Sequence, residues 1–328
     1  MKMYKIFSIL FLVGIFFWSC EDNKEIVPDD SGIFLRLVPL KSTNDAGDPN
    51  DNLTEEYAIA NLSVFLTDVG SNTVTDKYVH VAFSPVNDGS VLNYQNVQLS
   101  GLDPATIENK DVYVIANCTD MTSLNAVQTV DDLKALRTPA VAGNSSLTTT
   151  GGLPMFGSLP NAKLSDATAN NPVSVTLVRT CAKLRVTLFF TGSGWVGANN
   201  SFTIGNAAPY TFYIRNDTYK FDISDLVSYT AIPLIPVSGD PQRFQNVTYL
   251  YESLQLPSLH LKTTIGADLK EYDILSNFPL PVRNHLYDIQ IQILPPLSSS
   301  APSINQKTGI LNYQVVVRTY DLSTSEVF

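Results

Sequence analysis

The stretch VSVTLVRTCAKLRVTLFF, residues 173–190, places two runs of alternating apolar residues one after the other, separated by RTCA. Successive side chains of a β-strand point to opposite faces of a sheet, so each run predicts a strand with one apolar face. The apolar positions that share a face are Val173, Val175 and Leu177 in the first strand and Leu184, Val186 and Leu188 in the second. One series of strands ends here and another begins. We therefore predict a domain boundary near Arg179, which divides residues 32–179 from residues 180–328.

The same alternation recurs on both sides of this boundary. It occurs in NLSVFLT at residues 61–67, in VYVIAN at 112–117 and in YDIQIQI at 287–293. In the last segment, three isoleucines alternate with Asp288, Gln290 and Gln292, which predicts a sheet with one face toward water. Connections rich in Gly, Pro, Asn and Ser separate the strands, and short strands at this spacing indicate β-sandwiches. The sequence thus predicts an all-β protein with two β-sandwich domains.

One helix interrupts the strands, in TVDDLKALRTP at residues 129–139. Thr129 can cap its first turn, and the two aspartates that follow complement the positive end of the helix dipole. Leu133 and Leu136 share a face, and Pro139 follows the end of the helix. We predict this one short helix in the N-terminal domain.

The N-terminus carries an export signal. Met1–Lys5 contains two lysines, and Ile6–Trp18 is apolar apart from one serine and one glycine. As a helix, this apolar run rises about 20 Å, short of the roughly 30 Å core of a bilayer, so a signal peptide fits better than a membrane span. The run leads to Cys20 and resembles a bacterial lipobox, although Phe17 stands where leucine is usual. We predict a signal peptide at residues 1–19, acylation of Cys20 and a polar tether over residues 20–31.

Composition narrows the range of partners. The net charge is −10 and the pI about 4.7, so nucleic acid and anionic membrane surfaces are poor partners. Besides Cys20 the chain has only Cys118 and Cys181. These two could form one disulfide or remain as two buried thiols, and the sequence leaves both alternatives open.

Catalytic and metal-binding patterns are absent from the sequence. His80, His260 and His285 are scattered, and none lies near a cysteine or an acid at metal-ligand spacing. Each is interpreted as a surface or half-buried strand residue. These residues supply no candidate for catalysis or for binding a metal or cofactor.

Seven segments, taken in order, resemble the landmarks of fimbrillin, the structural subunit of type V pili in Bacteroidales. Between residues 58 and 293 they are IANLSVFLTD, DVYVIANCTD, TVDDLKAL, LPMFGS, VTLVRTCAKLRVT, YLYES and RNHLYDIQIQI. The resemblance implies two transthyretin-like β-sandwich domains and export to the cell outer membrane as a surface-exposed lipoprotein. It also implies a place in a fimbrium and no enzyme activity.

Fimbrillins assemble after proteolysis. A trypsin-like surface protease cuts after a basic residue in the loop that follows the first strand, and loss of that strand opens a groove that a strand of another subunit fills. The matching segments here are GIFLRLVPL, residues 32–40, and the loop at residues 41–57. Lys41 is the only basic residue in that loop, so the resemblance makes it the candidate processing site.

The loop departs from the family pattern. Asn44, Asp45 and Asp48 stand where a cut stalk subunit has its arginine. The other interpretation of Lys41 is a solvated lysine at the end of a strand.

The segment ILNYQVVVRTYDL near the C-terminus supplies a candidate donor strand at residues 311–322. Leu311, Tyr313, Val315 and Val317 would point to one side, which suits a strand that pairs through its backbone and fills apolar pockets. The alternative is that this strand closes the sheet of its own domain.

Two other functions stay open at this point. One is an uncut anchor or accessory subunit at the base or tip of the pilus. The other is a monomeric surface lipoprotein that binds a glycan or a host protein, with Trp195 or Tyr210 lining its site.

Overall fold

The computed structural model of the chain describes residues 32–39, 56–85, 95–141, 147, 151–191, 197–265, 268–274 and 279–294, and the backbone of 311–319. Cys20, Lys41 and Trp195 lie outside these residues. The described part is built from β-strands with two short helices, which confirms the predicted all-β class. Among the described residues, no helix is both long enough and apolar enough to cross a membrane.

The first eight strands form one sheet. They are Ile33–Pro39 (β1), Leu62–Asp68 (β2), Val74–Tyr78 (β3), Phe83–Pro85 (β4), Gln95–Leu99 (β5), Lys110–Ala116 (β6), Met155–Ala162 (β7) and Val173–Arg179 (β8). Their order across the sheet is β3-β2-β6-β7-β8-β1-β5-β4.

This sheet folds over on itself between β7 and β8. Only two register pairs join those strands, Met155 with Arg179 and Phe156 with Val178. At the fold a side chain at Gly157 would clash, because a Cβ there would lie 2.4 Å from the carbonyl oxygen of Thr176. The two halves of the sheet enclose one core, which makes the first sandwich. The predicted core faces of β2, β6 and β8 all point into it, which confirms those alternations.

Two helices cover the outer face of β2 and β6. They are Met121–Ala126 (α1) and Val130–Ala135 (α2). Thr129 caps α2 and forms a capping box with Asp132, as the sequence predicts. Helix α1 is not among the predicted elements. It has six residues, of which only Leu124 is buried, so it carries no hydrophobic periodicity.

The remaining strands form the second sandwich. They are Cys181–Phe190 (β9), Ala198–Ala207 (β10), Val227–Pro233 (β11), Ile235–Val237 (β12), Asp240–Tyr251 (β13), Ser258–Ile265 (β14), Asp268–Asp273 (β15), His285–Ile293 (β16) and Leu311–Thr319 (β17). One sheet has the order β11-β10-β14-β15 and the other β12-β13-β9-β16-β17. Buried side chains of both sheets share one core.

The prediction of a wet face on β16 is wrong at Asp288. This side chain is buried and pairs with the buried Arg185 of β9, with Nη2 to Oδ2 at 2.8 Å and Nε to Oδ1 at 3.2 Å. A buried carboxylate needs such a partner because its desolvation would otherwise favour the neutral form. The other face of β16 is as predicted, since its three isoleucines lie in the core.

The two sandwiches interlock at their junction. Val141, Leu147 and Leu153 precede Arg179 in the chain but pack in the core of the second sandwich. The fully buried Tyr213, which follows β10, packs under the helices of the first. The boundary between the sheets of the two sandwiches lies between Arg179 and Cys181. Side chains from each side of this boundary pack against the other sandwich.

Candidate functional site

The first strand, β1, is held along both of its edges. It runs parallel to β8, with register pairs from Leu35–Val173 to Pro39–Leu177. It runs antiparallel to β5, with pairs from Ile33–Leu99 to Leu37–Gln95. The sequence prediction of a strand at residues 32–40 is confirmed, and the structure places it in the interior of the sheet.

The side chains of β1 fill the core of the first sandwich. Ile33, Leu35 and Leu37 are fully buried, while Phe34, Arg36 and Val38 on the other face are half-buried. Full burial of a side chain of this size contributes about 1.5–3 kcal/mol. The slot between β5 and β8 is therefore lined by an apolar core on one face and by unpaired backbone groups on both sides whenever β1 is absent.

The candidate donor strand, β17, has one neighbour in the described structure. It lies at an end of its sheet and pairs antiparallel with β16 over the full length of both strands. Leu311, Tyr313, Val315 and Val317 are in register with Ile293, Ile291, Ile289 and Tyr287, all of which lie in the core. Within a single chain, this strand thus takes the place that the intradomain alternative assigns to it.

A buried polar cluster lies where the two sandwiches meet. The Glu56 carboxylate is 1% exposed, and its Oε1 accepts hydrogen bonds from Lys183 Nζ at 2.6 Å and from the Tyr249 hydroxyl at 2.8 Å. Arg179 donates through Nε to the Glu56 carbonyl oxygen at 2.7 Å and through Nη1 to Asn284 Oδ1 at 3.1 Å. Lys183 and Arg179 are 2% and 3% exposed. The cluster connects the C-terminal end of the polar loop at residues 41–57 to the end of β8, to the start of β9 and to β13.

Sequence reasoning missed this cluster. Glu56 stands in a polar segment that we interpreted as loop. A signal does exist in KLRVTLFF, where Lys183 and Arg185 occupy alternate positions of an otherwise apolar strand. Buried cations require acidic partners, and those partners are Glu56 and Asp288.

A short backbone ladder forms a second connection between the sandwiches. Thr138 N donates to Thr211 O at 2.9 Å, Val141 N to Pro209 O at 2.8 Å, and Tyr213 N to Leu136 O at 3.1 Å.

Arg283 reinforces the strand side of this ladder. It pairs with Glu252 at 2.7 Å and donates to the carbonyl oxygens of Phe212 and Tyr213 at 2.9 and 2.8 Å.

The two described cysteines are free thiols. Cys118 lies under the helices of the first sandwich and Cys181 in the core of the second. Burial raises the pKa of the Cys118 thiol above its ordinary value and raises that of Cys181 to about 12. Both thiols are neutral near pH 7, and a neutral thiol is a poor nucleophile.

The described histidines and acids form no metal site. No group of three or more His, Cys, Asp or Glu side chains in the described ranges has the geometry to hold an ion. His80 and His260 are exposed, and His285 is half-buried at the start of β16. His80 lies in a turn after β3 with a φ of 51°, at the surface.

The aromatic residue singled out by the sequence, Tyr210, belongs to a packed cluster. It makes edge-on or tilted ring contacts with Phe212, Tyr219 and Phe221 at centroid distances of 5.0–6.3 Å. The guanidinium of Arg137 lies over the Tyr210 ring at 4.6 Å. Arg137 thus occupies a face of the half-buried Tyr210 ring on which a sugar would otherwise stack.

Comparison with known families decides the class of the protein. A family model described as major fimbrial subunit protein (FimA) matches residues 34–206, just over half of the chain, including β1, β5 and β8. The chain belongs to the FimA family. This FimA-family protein is a structural component of a cell-surface fimbria that associates with other fimbrial components, and it is not an enzyme.

Solved structures similar to this FimA-family chain support the fold. The tip fimbrial protein Mfa3 from Porphyromonas gingivalis, with a C-terminal truncation, is 14% identical, and the alignment covers 86% of this chain and 98% of that one at a TM-score of 0.50. A proposed cell adhesion protein from Parabacteroides distasonis is 14% identical. The alignment covers 90% of this chain and 99% of that one, at a TM-score of 0.57. A proposed cell adhesion protein from Bacteroides eggerthii is 14% identical. The alignment covers 88% of this chain and 96% of that one, at a TM-score of 0.54. Comparison with curated protein sequences gave no match.

Proposed function

We propose that this FimA-family chain is exported as a lipoprotein and joins a fimbria by strand exchange after a trypsin-like surface protease cuts its first loop. The observation that carries the proposal is the position of β1, which lies between β8 and β5 yet is joined to all later strands through the segment after Pro39. A cut in that segment would leave β1 held by noncovalent contacts alone. The two β-sandwiches would act as the two domains of the subunit, one on each side of Arg179.

Release of β1 would create a site for another strand. The exposed edges of β8 and β5 would each present unpaired N–H and C=O groups, which cost free energy when they lack partners. The core face would lose three fully buried side chains, Ile33, Leu35 and Leu37. A strand that supplies apolar side chains at every second position restores both kinds of contact.

Residues 311–322 of another subunit are the proposed occupant. Leu311, Tyr313, Val315 and Val317 recur at every second position, as the core-facing residues of β1 do. Among the described residues β17 pairs with one strand, β16, so leaving its own sheet requires the loss of that one ladder.

The anchor and the cut are proposed from the sequence. Cys20 would carry the lipid that holds the chain at the outer membrane, and residues 20–31 would connect it to β1. Lys41 would be the cut site, two residues beyond the end of β1.

An uncut anchor or accessory subunit is the second candidate. It is favoured by the acids at positions 45 and 48 and the asparagine at 44, where a cut stalk subunit has an arginine. Such a subunit would keep β1 in place.

Proteolysis of the purified mature chain tests strand exchange. After incubation with trypsin, we expect ladders of polymers that resist SDS without heating. Replacing Val315 and Val317 together with Asp would bury two unpaired charges in the groove of the next subunit, so this variant should form no ladders. Because both positions lie opposite the core residues Ile289 and Tyr287 of their own sandwich, the uncut variant should stay folded but melt at a lower temperature than the parent.

The matched control places two charges on the other face of the strand. Asn312→Asp with Gln314→Asp alters positions opposite the half-buried Gln292 and Gln290, and it should still form ladders. Ladders from the Val315 and Val317 variant would contradict the proposal. Complete unfolding of the uncut variant would instead show that its own sandwich does not fold without β17, which contradicts the use of β17 as a detachable donor.

A further inference from the structure

The two walls of the proposed groove are unequally supported. β5 pairs with β4 on its far side, at Val97, Asn96 and Gln95, so it keeps a neighbour after β1 leaves. β8 has seven residues, of which 173–177 pair with β1 and only 178 and 179 pair with β7. Loss of β1 removes the ladder from most of β8.

The C-terminal end of β8 is fixed by the junction cluster. Arg179, its last residue, donates to the Glu56 carbonyl oxygen and to Asn284, and Nη2 lies 3.9 Å from Glu56 Oε2. Glu56 in turn accepts from Lys183 and Tyr249 of the second sandwich. The next residue, Thr180, donates to Pro154 O at 2.9 Å.

None of these contacts involves β1. Glu56 lies near the C-terminal end of the loop at residues 41–57, so a cut at Lys41 or within residues 43–49 leaves it attached to the rest of the chain. The cluster therefore persists in the cut chain. Ion pairs this deeply buried have one favoured arrangement, because separating the charges leaves each of them desolvated without a counterion.

We infer that Glu56, together with Arg179 and Lys183, is a positioning site that keeps β8 in register as one wall of the groove after β1 has gone. This inference rests on the proposed strand exchange. An entering strand must meet β8 at a defined offset, since a shift of one residue would turn its apolar side chains away from the core. Residues 178 and 179 at the C-terminal end of β8 do not pair with β1. The cluster holds this end, and it thereby fixes the register that β8 offers to an entering strand.

The test compares the uncut and the cut chain. A site for a sequence-specific protease is placed within residues 43–49, so that cutting does not depend on Lys41, and the released fragment is removed by gel filtration. Glu56→Gln removes the carboxylate charge with little change in shape. Arg179→Lys keeps the charge but loses the planar fork that reaches two acceptors, and it serves as the second variant if the first does not fold. Asp288→Asn is the matched control, because it breaks a pair buried as deeply, with Arg185, away from β8.

Two quantities are measured for each variant. One is hydrogen exchange of residues 178–180, which keep their partners β7 and Pro154 when β1 leaves, and the other is binding of a synthetic peptide of residues 311–322. In the uncut chain, all variants should protect residues 178–180 as the parent does. In the cut chain, Glu56→Gln and Arg179→Lys should lose that protection and bind the peptide at least about tenfold more weakly, while Asp288→Asn should match the parent.

Equal protection and equal affinity in the cut parent and both cluster variants would overturn the inference. So would a loss of protection at residues 178–180 in the uncut Glu56→Gln chain, since that would show a general structural role. If the cut parent binds no peptide, strand exchange by residues 311–322 is wrong, and hydrogen exchange of the cut chains still decides whether the cluster holds β8.

Discussion

The strands β1 and β17 lie at opposite ends of the described chain and occupy opposite kinds of position. β1 has a neighbour on each side, β8 and β5, whereas β17 lies at the end of a sheet with β16 as its neighbour. Removing an interior strand leaves a slot with two walls, but removing an end strand leaves the rest of its sheet continuous. Under the proposed strand exchange, the interior position of β1 would supply the acceptor slot after a cut, and the end position of β17 would supply the donor.

The largest difference in stability is expected between a chain that lacks β1 and a chain that lacks β17. A chain that begins at residue 42 lacks β1, and it should bind an apolar dye and melt well below the full chain, because the core of the first sandwich is opened. A peptide of residues 311–322 should reverse both changes. A chain that ends at residue 310 should show a smaller fall in melting temperature and less dye binding. A larger fall in melting temperature in the chain that ends at 310 would contradict the expectation that β1 supports more of the core than β17 does.

A smaller difference in the free energy of unfolding is expected between substitutions on the two faces of β1. Leu37→Ala should lower the free energy of unfolding by about 2–5 kcal/mol, because Leu37 is fully buried and its loss leaves a cavity. Val38→Ala, at the neighbouring half-buried position, should cost about 1 kcal/mol or less. Denaturant unfolding of the uncut chain measures both. Equal costs would mean that β1 does not insert one face into the core.

The smallest effect on stability is expected at Lys41. Lys41→Gln should change the free energy of unfolding by no more than about 0.5 kcal/mol. It should nevertheless stop trypsin from releasing β1, as followed by mass spectrometry of the released fragment. Release of the same fragment from the variant would place the cut elsewhere. A control change of the neighbouring Ser42→Ala should leave release unchanged.

The alternation of apolar residues predicted the strands and their core faces because a strand has a period of two. Leu62, Val64 and Leu66 in β2 and the three isoleucines of β16 lie where that period places them. The period does not say whether the second face of a sheet is covered. We therefore predicted a solvent-exposed Asp288, whereas its side chain is buried beside Arg185.

The candidate site was accessible from sequence only in part. The position of β1 as the first strand follows from its pattern, but its two neighbours, β8 and β5, are fixed by pairings between residues far apart in the chain. The same limit hid Glu56, which meets Lys183 across more than a hundred residues. A six-residue helix such as α1, with one buried leucine, is too short for its periodicity to be recognised.

The junction has a mechanical consequence. For a chain pulled along its length, tension that enters at the slot of β1 reaches the second sandwich by several routes at once. One is the peptide link at Thr180, another is the Glu56 cluster, and a third is the ladder between residues 136–141 and 209–213. Bonds that share a force must break together, so the junction should yield later than a single flexible linker would. The described subunit is thus suited to transmit a pull as one stiff body.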